Sequence, residues 1–299
     1  MSFEPIVLAP EIEPEEIYPY RRVWRTAWLE VVTLLLAVVV IYFTSALFDL
    51  AITSTPAKLG IAVLPLGAWI VFSYRGERRA LQPRRGLFGV LILGGLVANG
   101  IAVPLEQRLF LTDQWLPDER FFGRIIGYTL TLGFSAEFLK YAVLRYTFWP
   151  ERFQQRLDGI AYALAVSVGY AVVLNVRFAL YTDATLSATA LRVASITFSH
   201  LGIGIIMGLF LAELRIGQPP PVFWLPVGLL IAAGLSGAYY SFRVIAVVSD
   251  IGVGATGSSP FRGLLLAFGV VAALFIAVAF VVENADARME ALTGSRQTL

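Results

Sequence analysis

Glu137 and Lys140 lie about one helical turn apart in Gly133-Phe-Ser-Ala-Glu-Phe-Leu-Lys-Tyr-Ala-Val-Leu144, inside an apolar run that reads as a membrane span. Residues at i and i+3 share a helix face, so the carboxylate and the ammonium can pair. The next two apolar runs also carry polar groups at depth: Tyr170 and Asn175 in one, and Ser195, Thr197, Ser199 and His200 in the other. Glu137 and His200 both fall near the middle of their runs and could meet. In a dry bundle, a carboxylate beside an imidazole can bind a metal or serve as acid and base. Joined to Lys140, the same groups can equally form a buried polar network that fixes helix packing. A charged side chain at mid-bilayer costs about 2.5 to 3.5 kcal/mol on insertion scales, and each Leu, Ile, Phe or Val returns only about 0.3 to 0.6. Function or pairing is therefore the default reading of such a charge.

The elements that must position these groups are membrane helices. The chain has 299 residues, 58% hydrophobic and 15% charged, with a mean hydropathy of +0.74. That is too apolar for a soluble domain and implies an all-α, polytopic transmembrane bundle. There is no cysteine and one histidine, so thiolate sites are excluded and imidazole chemistry is confined to His200. A net charge of +2, with basic residues gathered at run ends and no basic stripe, argues against a nucleic-acid partner. Glu11, Glu13, Glu15 and Glu16 precede Arg21, Arg22 and Arg25, which is not the pattern of a secretory signal.

Runs long enough to cross a membrane occur near 27–50, 125–148, 160–180, 186–211, 223–240 and 264–282, with shorter ones at 59–72 and 87–103. About eight spans are expected, the short pair forming a hairpin. Arginines cluster before the first run, in the second loop (Arg75, Arg78, Arg79, Arg84, Arg85) and in the fourth (Arg145, Arg152, Arg156). With Lys and Arg favouring the cytoplasmic side, both termini are expected in the cytoplasm of a bacterial inner membrane. The expected organisation is a cytoplasmic arm over 1–26, a transmembrane domain over 27–283 and a cytoplasmic tail over 284–299. Two stretches are expected at the outer face: an interfacial segment from Glu106 to Phe122 and a longer loop from Arg243 to Pro260. Arg177 and Arg192, near outer span ends, are expected to contact lipid. Gly94, Gly95, Gly202, Gly204 and Gly208 are expected to permit close helix approach.

Four pieces in order, Ser135-Ala-Glu-Phe-Leu-Lys-Tyr-Ala-Val-Leu-Arg145, Asp158-Gly-Ile-Ala-Tyr-Ala, Val168-Gly-Tyr-Ala-Val-Val-Leu-Asn175 and Ser199-His-Leu-Gly-Ile-Gly-Ile-Ile-Met-Gly208, resemble the PrsW family of intramembrane proteases. The resemblance covers about 133–240. It implies a Glu-Glu-x-x-Lys element, a Phe-x-x-x-Glu-Asn element, a histidine on a third helix and a later His-Gly-x-x-Asp-like element. Glu137, Lys140, Asn175 and His200 match. Ala136 stands where the first glutamate is expected, Leu174 where the second motif has its glutamate, and Ser236 and Tyr240 where the last has histidine and aspartate.

A catalytic zinc generally takes three protein ligands and an open position, and the matching positions offer one carboxylate and one imidazole. No metal or other cofactor is therefore expected. Glu137 and His200 would be remnants of a catalytic pair, and Lys140 and Asn175 members of a polar network. The implied function is a PrsW-like integral membrane protein that has lost proteolysis and binds other membrane proteins, as a subunit or scaffold, among membrane lipids. The alternatives are an active PrsW-type protease with an altered site, and a transporter or lipid-handling protein built around the same polar residues.

Overall fold

A computed structural model of the chain describes residues 20–47, 53–79, 83–216, 222–248, 268–281 and 283–284. Every regular element among them is helical. Most of the expected N-terminal arm, nearly all of the C-terminal tail and most of the 243–260 loop lie outside the described residues.

Eight helical stretches stand where the apolar runs predict them. They are α1 (Tyr20–Leu47), α2 (Thr55–Arg78), α3 (Leu87–Phe110), α4 (121–147), α5 (Arg156–Tyr181), α6 (Leu186–Ile216), α7 (Trp224–Val248) and α8 (Phe268–Val281). Six of them (α1, α2, α3, α5, α6, α7) are long and apolar enough to cross a membrane. The two that are not have different reasons. The described part of α8 is short, whereas α4 is long but carries Arg124, Glu137, Lys140 and Arg145. The short runs at 59–72 and 87–103 become full-length helices because the helix continues through their polar flanks, to 24 residues in each case. The first helix begins at Tyr20, inside the expected arm.

The centre is an antiparallel pair. The apolar windows of α6 and α5 are 89% and 72% buried by protein, against 17% for α1. Local chemistry sets their ends: the Asp158 carboxylate accepts the backbone N–H of Gln154 and of Gln155 (2.8 and 2.7 Å) at the start of α5, and the Thr185 hydroxyl accepts the Ala188 N–H at the start of α6 (3.3 Å). The two helices approach closely at Gly159 and Gly208, where a Cβ on either would strike the carbonyl oxygen of the other. At Gly94, α3 packs as tightly against the backbone of α5 at Val166. Around this centre, α2, α3 and α4 pack on α5, while α1, α2, α4 and α7 pack on α6 and α7 also covers α4. The last helix joins the periphery through Phe268 on Phe198 and Phe275 on Trp28.

Candidate functional site

The residue that sets the site is Glu137, and α4 delivers it through a distortion. Residues Thr129–Gly133 form a wide π-helical turn immediately before the regular segment Phe134–Thr147. The hydroxyls of Thr129 and Thr131 donate to the carbonyls of Ile125 and Gly127, each at 2.7 Å, which satisfies groups near the distorted turn. Opposite it, Gly237 of α7 lies against the Thr129 backbone and the Ile125 carbonyl, with no room for a Cβ. That close approach places Ser236, its neighbour, against Glu137.

Glu137 is completely buried. Its Oε1 accepts a hydrogen bond from Lys140 Nζ at 2.7 Å and one from Ser236 Oγ at 3.2 Å. Its Oε2 is buried and bonds nothing. Lys140, equally buried, lies 6.0 Å from the centre of the Tyr170 ring. His200 packs on the same Tyr170 ring, 4.8 Å between ring centres, with its Nε2 3.5 Å from the Tyr240 hydroxyl. Tyr240 in turn stacks on Tyr128 at 5.7 Å.

Glu137 and His200 thus occupy one polar core but are not hydrogen-bonded to each other: the carboxylate faces Lys140 and Ser236, the imidazole faces Tyr170 and Tyr240. Asn175 is also set apart from Lys140. Its amide donates to Thr197 at 3.2 Å and its Oδ1 has no partner. The buried Ser167 hydroxyl is unpartnered as well, across from Lys140 at the gap left by Gly204.

The positions where the family resemblance puts acids and imidazoles do converge on this core. Ala136, Leu174 and Tyr240 line a cavity of about 20 Å³ together with Tyr170, Leu132 and Glu106, enough for a single water. At the three positions where the resemblance expects donors its wall carries a methyl, an isobutyl and a phenol, and Glu106 supplies its one carboxylate. A resident zinc does not fit this donor set. The ammonium of Lys140 already holds one Glu137 oxygen, His200 is the one imidazole of the chain, and among the described residues no three of His, Asp and Glu come together.

Two groups missed in the sequence reading share the polar interior. Glu30, buried on α1, accepts a hydrogen bond from Ser73 of α2. The rule that singled out Glu137, a carboxylate inside an apolar run, would have found it. Nearby, at the arginine-rich end, Arg84 donates to Asp158 at 2.6 Å and to Glu77 at 2.9 Å. Burial pulls the Arg84 guanidinium toward neutrality, but the charges of Glu77 and Asp158 outweigh it and leave its pKa above the ordinary value. The sequence-predicted lipid contacts divide: Arg177 donates to Asn99 at 3.2 Å and lies over Tyr181, whereas Arg192 lies over Phe178 and makes no ion pair among the described residues.

Fold and site together define a polytopic helical membrane protein with a charged pair enclosed by its central helices. The chain belongs to the PrsW family: the model for the PrsW family intramembrane metalloprotease matches residues 82–276. It is similar to Protease PrsW of Bacillus subtilis (strain 168), 30% identical over 112 residues, which are 37% of this chain and 50% of that protein. It is also similar to Protease PrsW of Halalkalibacterium halodurans, 26% identical over 183 residues, 60% of this chain and 80% of that protein. The chain thus spans half the length of the Bacillus subtilis relative and most of the other. No solved structure matches it.

Proposed function

We propose that this chain keeps the PrsW fold without metal-dependent proteolysis and acts by holding the membrane segments of other integral membrane proteins, as a subunit or scaffold. The observation that carries the reading is the pairing of Glu137 with Lys140 and Ser236, next to a cavity that Ala136, Leu174 and Tyr240 wall. A carboxylate neutralised by its own lysine is a poor ligand for a cation, and Ala136 and Leu174 stand where the resemblance would put further acids. Fold alone does not fix function, so the relatives' name as proteases bears on the scaffold and leaves the chemistry to this site.

The proposed setting is a bacterial inner membrane with both termini in the cytoplasm. Arginines supply the orientation, and two of the arginine-bearing loops meet: Arg84 of one bonds Asp158 at the end of the other, and the Tyr162 hydroxyl donates to the Arg85 carbonyl at 2.8 Å. That contact supports placing both loops on one side.

The test is reconstitution of the full chain in liposomes with a single-span protein that associates with it in mild detergent. The expected result is stable association and an uncleaved partner, unchanged by a chelator. Cleavage that the chelator abolishes would support an active protease with an altered site instead.

A further inference from the structure

The end of the bundle opposite Arg84 carries guanidiniums with no directly bonded carboxylate among the described residues. Arg192 lies under two turns into α6, and Arg243 ends the membrane-crossing part of α7. Arg192 Nε and Arg243 Nη1 are both buried, and neither has a hydrogen-bond acceptor. Neither residue forms an ion pair among the described residues; instead Arg192 lies 4.3 Å from the Phe178 ring and Arg243 5.1 Å from the Tyr240 ring. The helices that carry them are in contact about one turn further in, where the Tyr239 hydroxyl donates to the Ser195 carbonyl, and the carboxylates of Glu106 and Asp113 act on Arg192 through their charge without bonding it. Like charges held together with buried, unspent N–H donors are costly, and an oxyanion that accepts from both removes the cost.

Depth and surroundings say which oxyanion. At 1.5 Å per residue, Arg192 stands about 9 Å from the end of its helix, and the headgroup layer on each face is about 5 to 8 Å thick. At the same end of the bundle, Leu180, Tyr181 and Phe122 are exposed and offer apolar surface to acyl chains. We propose that Arg192 and Arg243 form a binding site for the phosphate of an anionic phospholipid in the leaflet at this end of the bundle. Planar guanidiniums suit a tetrahedral oxyanion, each able to present two parallel N–H donors. Arg177 stays outside the site, with one donor already spent on Asn99. The proposal does not depend on whether the core cleaves peptide bonds.

The full chain in detergent is titrated with phosphatidylglycerol, phosphatidylcholine or inorganic phosphate and followed by native mass spectrometry. Phosphatidylglycerol should be retained at one molecule per chain and more tightly than phosphatidylcholine, whose choline brings a cation to the arginines. Arg192→Gln and Arg243→Gln should each weaken retention by about tenfold or more, the value of a charge-assisted hydrogen bond. Arg192→Lys, which keeps the charge and serves if the Gln variants unfold, should weaken it less. Arg145→Gln, at the far end, should leave it unchanged. Displacement of the lipid by inorganic phosphate at similar concentration would keep the oxyanion site but assign it to free phosphate. Equal retention of both lipids, or retention unchanged in the Arg192→Gln/Arg243→Gln variant, overturns the proposal.

Discussion

Two clusters of buried charge sit at different heights in this bundle, and they are built to different standards. In the Arg84 cluster every buried charged atom has a partner: the guanidinium reaches two carboxylates, the Arg84 backbone N–H donates to the Glu77 carboxylate, and the Asp158 carboxylate also caps α5. In the Glu137 cluster, one carboxylate oxygen, the Ser167 hydroxyl and the Asn175 carbonyl are left without partners. A closed network ties helices together. An open one leaves polar atoms without a protein partner, and each carries a desolvation cost unless water meets it. The first cluster is architecture; under the function proposed above, the second is a site partly dismantled.

Variants can break or sharpen that contrast. The largest effect should come from Arg84→Met, which strands two buried carboxylates and unties α2 and α3 from α5. A loss of about 3 to 5 kcal/mol is expected in denaturant or thermal unfolding in detergent. Lys140→Met strands only Glu137, so its loss should sit at the lower end of that range, and the Glu137→Gln/Lys140→Met double variant should return to within about 1 kcal/mol of the parent. If the double variant stays as unstable as Lys140→Met, the core pair is architectural after all and the contrast fails. Gly208→Ala tests the frame that carries both clusters: a methyl against the Gly159 carbonyl should cost about 1 to 3 kcal/mol. The smallest effect belongs to Ser236→Ala, about 0.5 to 1.5 kcal/mol. A larger loss there would show that Ser236 does more than share a carboxylate that Lys140 already holds.

How much of this was legible in the sequence follows from how local each feature is. Apolar runs report helices directly, so all eight positions could be read, and the Glu137–Lys140 pair followed from its spacing alone. Depth within a run gives height in the membrane but not rotation about the helix axis. That is why Glu137 and His200 could be placed at one level yet face different partners: the π-helical turn at Thr129–Gly133 lies just before Glu137, and periodicity does not reveal such a turn. The convergence of Ala136, Leu174, Ser236 and Tyr240 came from the ordered family resemblance, not from hydropathy. Gly237 shows what the structure adds, because the glycine that the resemblance expects in the last motif stands where α7 meets the backbone of α4. The Arg84 cluster joins residues far apart in the chain, and neither charge pattern nor spacing linked them.

The central claim is that this core no longer holds a catalytic metal, and metal content tests it most directly. The full chain, purified from membranes without chelator, is analysed for zinc and other transition metals beside His200→Ala and beside a variant carrying Ala136→Glu, Leu174→Glu, Ser236→His and Tyr240→Asp. The parent should carry no more metal than His200→Ala, and the four-residue variant should gain it. One metal ion per chain in the parent, lost in His200→Ala, would contradict the account.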